Sequence, residues 1–297
     1  PRPTAAAPIM RANWPPPTIP IGRCVVTARS LGRAADRPTR CPARAAERGA
    51  PGRAGPCQDD AMTAHIVAMG GGGFSVSPLG APTNLDRYLV ELTGKASPLV
   101  CFVPTASADD PQYINKFLVA YGTLGVRPMV LTLWQDSVRS VERLAEADLI
   151  LVGNGNTVNM LAIWQAHGVG KALQKRFDAG DVVLAGVAAG GNAWCNGYVT
   201  DSFGQFRAVR GGLGMIPTSF CCHFDVEDGR VPVYTDAVAD GTLPEGYACD
   251  DGAGIQYTDG TIRCIAERAG ARVFRFRPTQ SPTASGVFSE PQAVELL

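Results

Sequence analysis

The chain has 297 residues, 45% of them hydrophobic and 18% charged, and its 27 Lys and Arg balance 27 Asp and Glu to no formal net charge. That is ordinary globular composition with enough length to bury a core. The balanced charge argues against nucleic acid or an anionic membrane surface as partner, so a small molecule or peptide is expected. No run of about eighteen or more apolar residues occurs, so no transmembrane helix is expected.

Nine cysteines, an odd number, are scattered through a chain too long to need a disulfide framework, and they read as reduced thiols in a cytoplasmic protein. Cys221 and Cys222 are adjacent rather than at C-x-x-C spacing, and the three histidines lie far apart. No metal site and no cofactor are expected.

In chain order, residues 1–61 are rich in Pro, Ala and Arg, contain no lysine and show neither helical nor strand periodicity. They should be disordered, and Met62 reads as the true start of the folded part. From there short apolar runs alternate with helical patterns. "HIVAMG" (65–70) is a strand ending in glycines, and "LDRYLVELTG" (85–94) is a helix with a glycine stop. "PLVCFVPT" (98–105) is the second strand, 111–124 a helix, "VRPMVLTL" (126–133) the third strand, and "SVERLAEA" a short helix. "DLILVG" (148–153) runs into a loop and helix, and "DVVLAGV" (181–187), preceded by the helix "GKALQKRFDAG", is the fifth strand. Five strands in this rhythm predict an α/β fold with a doubly wound, mostly parallel sheet, whose functional loops lie at the strands' carboxyl ends. After residue 200 the rhythm breaks into loops and short β runs such as "GAGIQYT" and "TIRCIAE", an antiparallel extension near the C-terminus. The expected organisation is a leader (1–61), one α/β domain (62–277) and a loose tail (278–297).

Three glycine-rich strand ends converge on one edge of such a sheet. "GGGGF" (70–74) fails the G-x-G-x-x-G fingerprint in either frame, which leaves a tight turn that lets another loop approach. "VGNGNT" (152–157) could aim backbone N–H groups at an anion or developing oxyanion, or be a simple turn capped by Thr157. "GVAAGG" (186–191) has the small residues that a strained nucleophile turn needs, G-x-S-x-G, with alanine at the nucleophile position. The alternative is an apolar strand followed by a Gly/Ala-rich helix start.

Among the histidines, His167 fits the last turn of a helix beside its glycine stop, and His65 begins a strand with no chemical company. His223, in "PTSFCCHFDVED", sits downstream of the turn where a base could reach the nucleophile position.

Taken in this order, "GGGGF", "GNGNT", "GVAAG", "VTDSFG" and "CCHF" resemble the motifs of the peptidase E family over roughly residues 64–277. These are aspartyl dipeptidases related to cyanophycinase, with a flavodoxin-like fold close to that of class I glutamine amidotransferases. The later "ACDDGAGI" looks like the family's D/E-G segment beside the site. The resemblance implies a Ser-His-Asp/Glu relay that cleaves a dipeptide after an N-terminal aspartate. It places Ala188 at the nucleophile position, His223 as general base and Asp201 as the acid orienting it, with Asp251 in reserve. Gly155 and Ala189 would form the oxyanion hole. Asn156 and Thr157 are candidate substrate contacts, and Arg207 and Arg210 are candidates for pairing the substrate carboxylate, which must be paired if buried. The expected partner is an Asp-X dipeptide, and a homodimer is compatible with the reading.

Three departures from the family pattern stand out: Ala188 for serine, Asn154 for a glycine, and Cys222 for the proline before the histidine. Without a hydroxyl no acyl-enzyme forms, and losing such a serine costs on the order of a million-fold in turnover. Cys195, seven residues on, lies roughly 10 Å along a helix axis from the turn and cannot substitute. A change introduced into an intact enzyme fits the retained His223 and Asp201, whereas a natural loss fits Asn154 and Cys222. The expectation is a dipeptidase of this family silenced at one side chain. A dead homologue that binds acidic peptides or acts as a scaffold is the alternative, and an amidotransferase would need a cysteine at the turn.

Overall fold

A computed structural model describes residues 63–78, 80–279 and 286–297; the expectation for residues 1–61 lies outside the described residues. The strands are β1 (His65–Met69), β2 (Leu99–Val103), β3 (Arg127–Val130), β4 (Leu149–Val152), β5 (Val183–Val187), β6 (Cys195–Thr200) and β7 (Arg207–Arg210). They continue with β8 (Ile216–Cys221), β9 (Gly246–Cys249), β10 (Ala253–Thr258), β11 (Thr261–Ala266), β12 (Val273–Pro278), β13 (Val287–Pro291) and β14 (Glu295–Leu296). The helices are α1 (Asn84–Glu91), α2 (Pro111–Gly122), α3 (Ser137–Glu142), α4 (Thr157–His167), α5 (Val169–Asp178), α6 (Ala189–Trp194) and α7 (Arg230–Ala239).

The first sheet has eight strands in the order β14-β11-β10-β1-β5-β4-β2-β3, and its five strands from β1 to β3 are parallel. These are the five strands expected from the apolar runs. β4 ("LILV") and β5 ("VLAGV") are buried at every residue, as the centre of a sheet covered on both faces requires. β10 pairs antiparallel with β1 and β11 antiparallel with β10, an extension that the two β runs after residue 250 indicated.

The second sheet was not anticipated: six strands in the order β13-β12-β9-β8-β6-β7. Its short runs escape periodicity, and α7 carries Pro232 in its first turn, where the missing N–H is tolerated. Among the described residues of the tail expected to be loose, Val287–Pro291 form β13 on β12 and Glu295–Leu296 form β14 on β11. Six-residue α6 lies between the sheets, touching β5, β1 and β4 on one side and β6 and β8 on the other. Small residues permit that approach: Gly190, Gly191 and Ala193 are all buried.

Helix ends follow local chemistry. Asp110 caps α2 by accepting from the Gln112 amide at 3.0 Å with Pro111 at the first helical position, and Tyr113, Phe117, Ala120 and Tyr121 form its buried face. Asn156, rather than Thr157, caps α4 by accepting from Asn159 at 2.9 Å, and Gly168 at φ 72° ends it just after His167.

Asp86 is a buried carboxylate that ties α1 to α2. It accepts from the Thr83 amide at 2.8 Å and from the Tyr121 hydroxyl at 3.1 Å. Burial, outweighing those donors, lifts its pKa from 3.8 to about 6. Because the folded value is raised, the stability linked to this proton is fully present below about pH 4 and is lost as pH rises through about 6. The loss amounts to about 3 kcal/mol at most. Urea unfolding of the parent and Asp86→Asn from pH 4 to 7.5 should show the parent losing ground to the variant as pH rises; a constant difference would sink this assignment.

Candidate active site

Sheet register brings the glycine turns together. Met69 pairs with Val187 and Val152 pairs with Gly186, so the carboxyl ends of β1, β4 and β5 lie level. β10 begins antiparallel beside β1, with Gly254 opposite Met69, and this delivers the preceding segment Asp250–Gly252 to the same edge. β8 and β9 run parallel in the second sheet and end at Cys221 and Cys249, just before His223 and Asp251.

At the end of β5 the chain turns sharply into α6. Ala188 holds φ 49° and ψ −103°, a region that costs a non-glycine residue about 1–3 kcal/mol and persists only where surroundings impose it. Its amide donates to the Met69 carbonyl at 2.9 Å, and its carbonyl accepts from the Asn192 amide at 2.9 Å. The flanking glycines are steric requirements. A Cβ on Gly186 would lie 2.3 Å from the Gly190 carbonyl carbon, and one on Gly190 would lie 2.4 Å from the Val152 carbonyl oxygen. Both obstructing groups are backbone, so Gly186→Ala should destabilise the fold by about 3 kcal/mol or more. A urea midpoint unchanged within error would overturn that expectation.

A cavity of about 190 Å³ opens above this turn, lined by Ala188, Ala189, Asn154, Gly155, Thr157 and Asn192 on one side. Thr200, Asp201, Cys222, His223, Glu227 and Arg230 complete it. Gly155 at φ 133° sits against the Ala106 carbonyl, 2.2 Å from where a Cβ would be, so only glycine fits there. Its amide has no acceptor among the described residues. The Ala189 amide is the first of α6 and has no acceptor within the helix. Two N–H groups are thus available on the lining of one cavity.

His223, at φ 53°, donates its amide to the Gly70 carbonyl at 3.2 Å. Its Nδ1 lies 2.6 Å from Asp251 Oδ1, so the carboxylate bonded to the ring is the one held in reserve from the sequence. Asp201 lines the same cavity, but no hydrogen bond joins it to the ring among the described residues. The ring is thus bonded to Asp251 and not to the first choice, Asp201: Asp201 follows β6, whereas Asp251 lies between β9 of the second sheet and β10 of the first. The glycines of "GGGGF" make room for the pair, since a Cβ on Gly71 would lie 2.0 Å from Asp251 Oδ1 and 2.9 Å from His223 Cε1. Asp225 Oδ1 accepts from the Asp251 amide at 2.8 Å, and Arg268 holds Asp225 at 3.1 Å and the Asp251 carbonyl at 2.9 Å. These two positioning residues were missed; the acid two places after His223 in "HFDVED" was the available signal.

The two arginine candidates lie elsewhere. Arg207 is exposed, over the Phe203 ring at 5.3 Å, and Arg210 donates to the carbonyls of Gly241 and Thr242 in the turn after α7. Neither lines the cavity; Arg210 instead borders an apolar groove of about 590 Å³, which contains no histidine or carboxylate. The cation on the cavity is Arg230, the first residue of α7, which is 4% exposed. It pairs with Glu227, donates Nη1 to the Val199 carbonyl at 2.9 Å and lies over the Phe206 ring at 4.8 Å.

Thr157 lines the cavity, with its hydroxyl accepting from Asn192 Nδ2 at 3.2 Å, while Asn156 is committed to its cap and to the Ser202 carbonyl at 3.2 Å. Asn192 Oδ1 is buried without a hydrogen-bond partner among the described residues. Cys222 also lines the cavity, but burial pushes its thiol up to about 11, so it stays protonated at neutral pH. His65, expected to stand alone, has its Nδ1 2.8 Å from the Thr258 hydroxyl. Among the described residues no cluster of three or more metal-ligating side chains occurs, and no helix is long and apolar enough to cross a membrane.

A parallel sheet, a strained strand-to-helix turn at its carboxyl edge and an Asp-bonded histidine on the same cavity are the features of a protein of the hydrolase class. The particular family follows from its model: the chain matches peptidase family S51 over residues 66–265 and belongs to that family, the peptidase E family. It is 39% identical over 213 residues to the Bacillus subtilis (strain 168) protein named uncharacterized peptidase YgaJ, a match covering 71% of this chain and 91% of that one. Its fold is similar to the crystal structure of a peptidase from an acI-B1 Actinobacterium, with TM-score 0.58 and 17% identity, covering 77% of this chain and 98% of that one.

Proposed function

We propose that this chain carries the site of a serine-type dipeptidase acting after an N-terminal aspartate, silent because Ala188 stands where the nucleophile belongs. The observation that carries the reading is the 2.6 Å bond from Asp251 to His223, which lines the same cavity as the Ala188 turn. A serine hydroxyl at that turn would meet His223 through Nε2, the ring nitrogen left free by Asp251, and the pair would take its proton as general base. The Gly155 and Ala189 amides would stabilise the tetrahedral oxyanion.

Substrate polarity fits the remaining groups. Asp201 and the unpartnered Asn192 Oδ1 are acceptors for the α-ammonium of the N-terminal residue. Arg230 Nη2 makes no hydrogen bond among the described residues and suits the aspartyl carboxylate, a charge-assisted contact in a buried setting. As it stands, with Ala188, the chain would bind such a peptide without turning it over, which supports acidic-peptide binding as the second reading. Release of free aspartate from an Asp-X dipeptide by Ala188→Ser, and not by the parent, is the test; no release by either folded protein sinks the dipeptidase reading.

A further inference from the structure

Beside the catalytic cavity lies a second one, of about 220 Å³, lined by Ser75, Ser107, Asp110, Gln112, Tyr113, Lys116 and Asn154. Asn154 lines both cavities, at the turn after β4, and is the residue that departs from the family's glycine. We propose that this second cavity is the leaving-group subsite and binds the C-terminal carboxylate of a dipeptide through Lys116, Gln112 and Asn154. The inference rests on the dipeptidase reading and names the half of the substrate which that reading leaves unplaced.

The argument is an account of donors. Ser75 and Ser107 donate their hydroxyls to the Gly72 and Pro104 carbonyls at 2.7 and 2.8 Å, so neither is free for an anion. Tyr113 accepts from the Asn154 amide at 3.3 Å. Asp110, the acid on this cavity, is drawn to the start of α2, where one oxygen accepts the Gln112 amide at 3.0 Å and the helix end offsets its charge. Apart from the second oxygen of Asp110, what is left uncommitted is rich in donors: among the described residues no hydrogen bond or ion pair engages the Lys116 ammonium or the side-chain amides of Gln112 and Asn154. One ammonium and two amides around a small polar cavity match a carboxylate.

Position gives that carboxylate its meaning. Asn154 lines both cavities and Gly155, the proposed oxyanion donor, follows it, so a scissile bond held at Gly155 with its acyl part over Ala188 would send its amine part into the cavity of Asn154 and Lys116. In a dipeptide the amine part is a single residue ending in a carboxylate, whereas a longer peptide would continue as a neutral amide.

The test uses the full chain carrying Ala188→Ser and compares Asp-Leu with Asp-Leu amide. The free acid should be preferred in kcat/KM by about tenfold or more, the scale of one charge-assisted contact at a partly exposed site. Adding Lys116→Gln should raise KM for the free acid about tenfold with little change in kcat, and should leave the amide unaffected. Equal use of acid and amide by the seryl protein, or equal damage to both by Lys116→Gln, overturns the subsite while the dipeptidase reading stands. If the seryl protein cleaves neither, calorimetric binding of the two peptides to the Ala188 chain decides: tighter binding of the free acid, lost in Lys116→Gln, supports the subsite without turnover. Equal binding overturns it, and no binding of either overturns the dipeptidase reading with it.

Discussion

Ala188→Ser is expected to raise turnover of an Asp-X dipeptide by about a million-fold, the factor lost when a relay serine becomes alanine. The expectation rests on how little else must change. The turn already holds φ 49° and ψ −103° with a Cβ present, so a hydroxyl adds one atom to a backbone already in place. The energy of that conformation is supplied by the Met69 and Asn192 hydrogen bonds and by the close Gly186–Gly190 approach, none of which involves the side chain. His223, held by Asp251, lines the cavity that receives the hydroxyl. The parent should retain at most about a thousand-fold over the uncatalysed rate, from the oxyanion amides and binding alone. A burst of product on mixing, or capture of the seryl protein by an acylating reagent that leaves the parent untouched, would show the covalent intermediate directly. A seryl protein that folds, binds peptide and never acylates would mean that the hydroxyl does not reach His223.

The second large effect separates the two acids. In the seryl protein, Asp251→Asn should lower kcat about ten-thousand-fold, because the amide supports the wrong histidine tautomer and does not stabilise the imidazolium. Asp201→Asn should act chiefly on KM, through the α-ammonium, and leave the pH dependence of kcat in place. N-acetylated Asp-X makes the distinction sharper: the seryl protein should prefer the free amine over the acetylated peptide, and Asp201→Asn should erase that preference. If Asp201→Asn instead abolishes kcat for both peptides while Asp251→Asn is mild, the relay acid is Asp201, and the His223–Asp251 bond is structural.

Much of this site can be read from the chain alone, for reasons specific to each part. Apolar runs such as "LILV" and "VLAGV" mark central parallel strands, because strands buried on both faces admit no polar alternation. The glycines at 186, 190 and 155 are legible because each stands where a Cβ would strike backbone, a demand that shows as composition. His223 is legible by residue type and order. The second sheet and α7 are not, because strands of four to six residues in a loop-rich stretch carry too few periods, and Pro232 masks a helix start.

By itself, then, the sequence determined the parallel five-strand core, the three glycine turns at its carboxyl edge, the alanine at one of them and the histidine that shares its cavity. These are local demands, set by side-chain period and by where a Cβ can fit. Which acid bonds the histidine, which arginine reaches the cavity and where Asn154 leads were decided only by tertiary structure. Asp201 and Asp251 are alike as residues; register between β1 and β10 brings one of them to the ring at 2.6 Å. Arg207, Arg210 and Arg230 differ in that β7, at the edge of the second sheet, leaves the first two exposed, whereas α7 buries the third on the cavity that His223 also lines. Such long-range juxtapositions depend on strand order and crossover, which no short stretch of chain encodes.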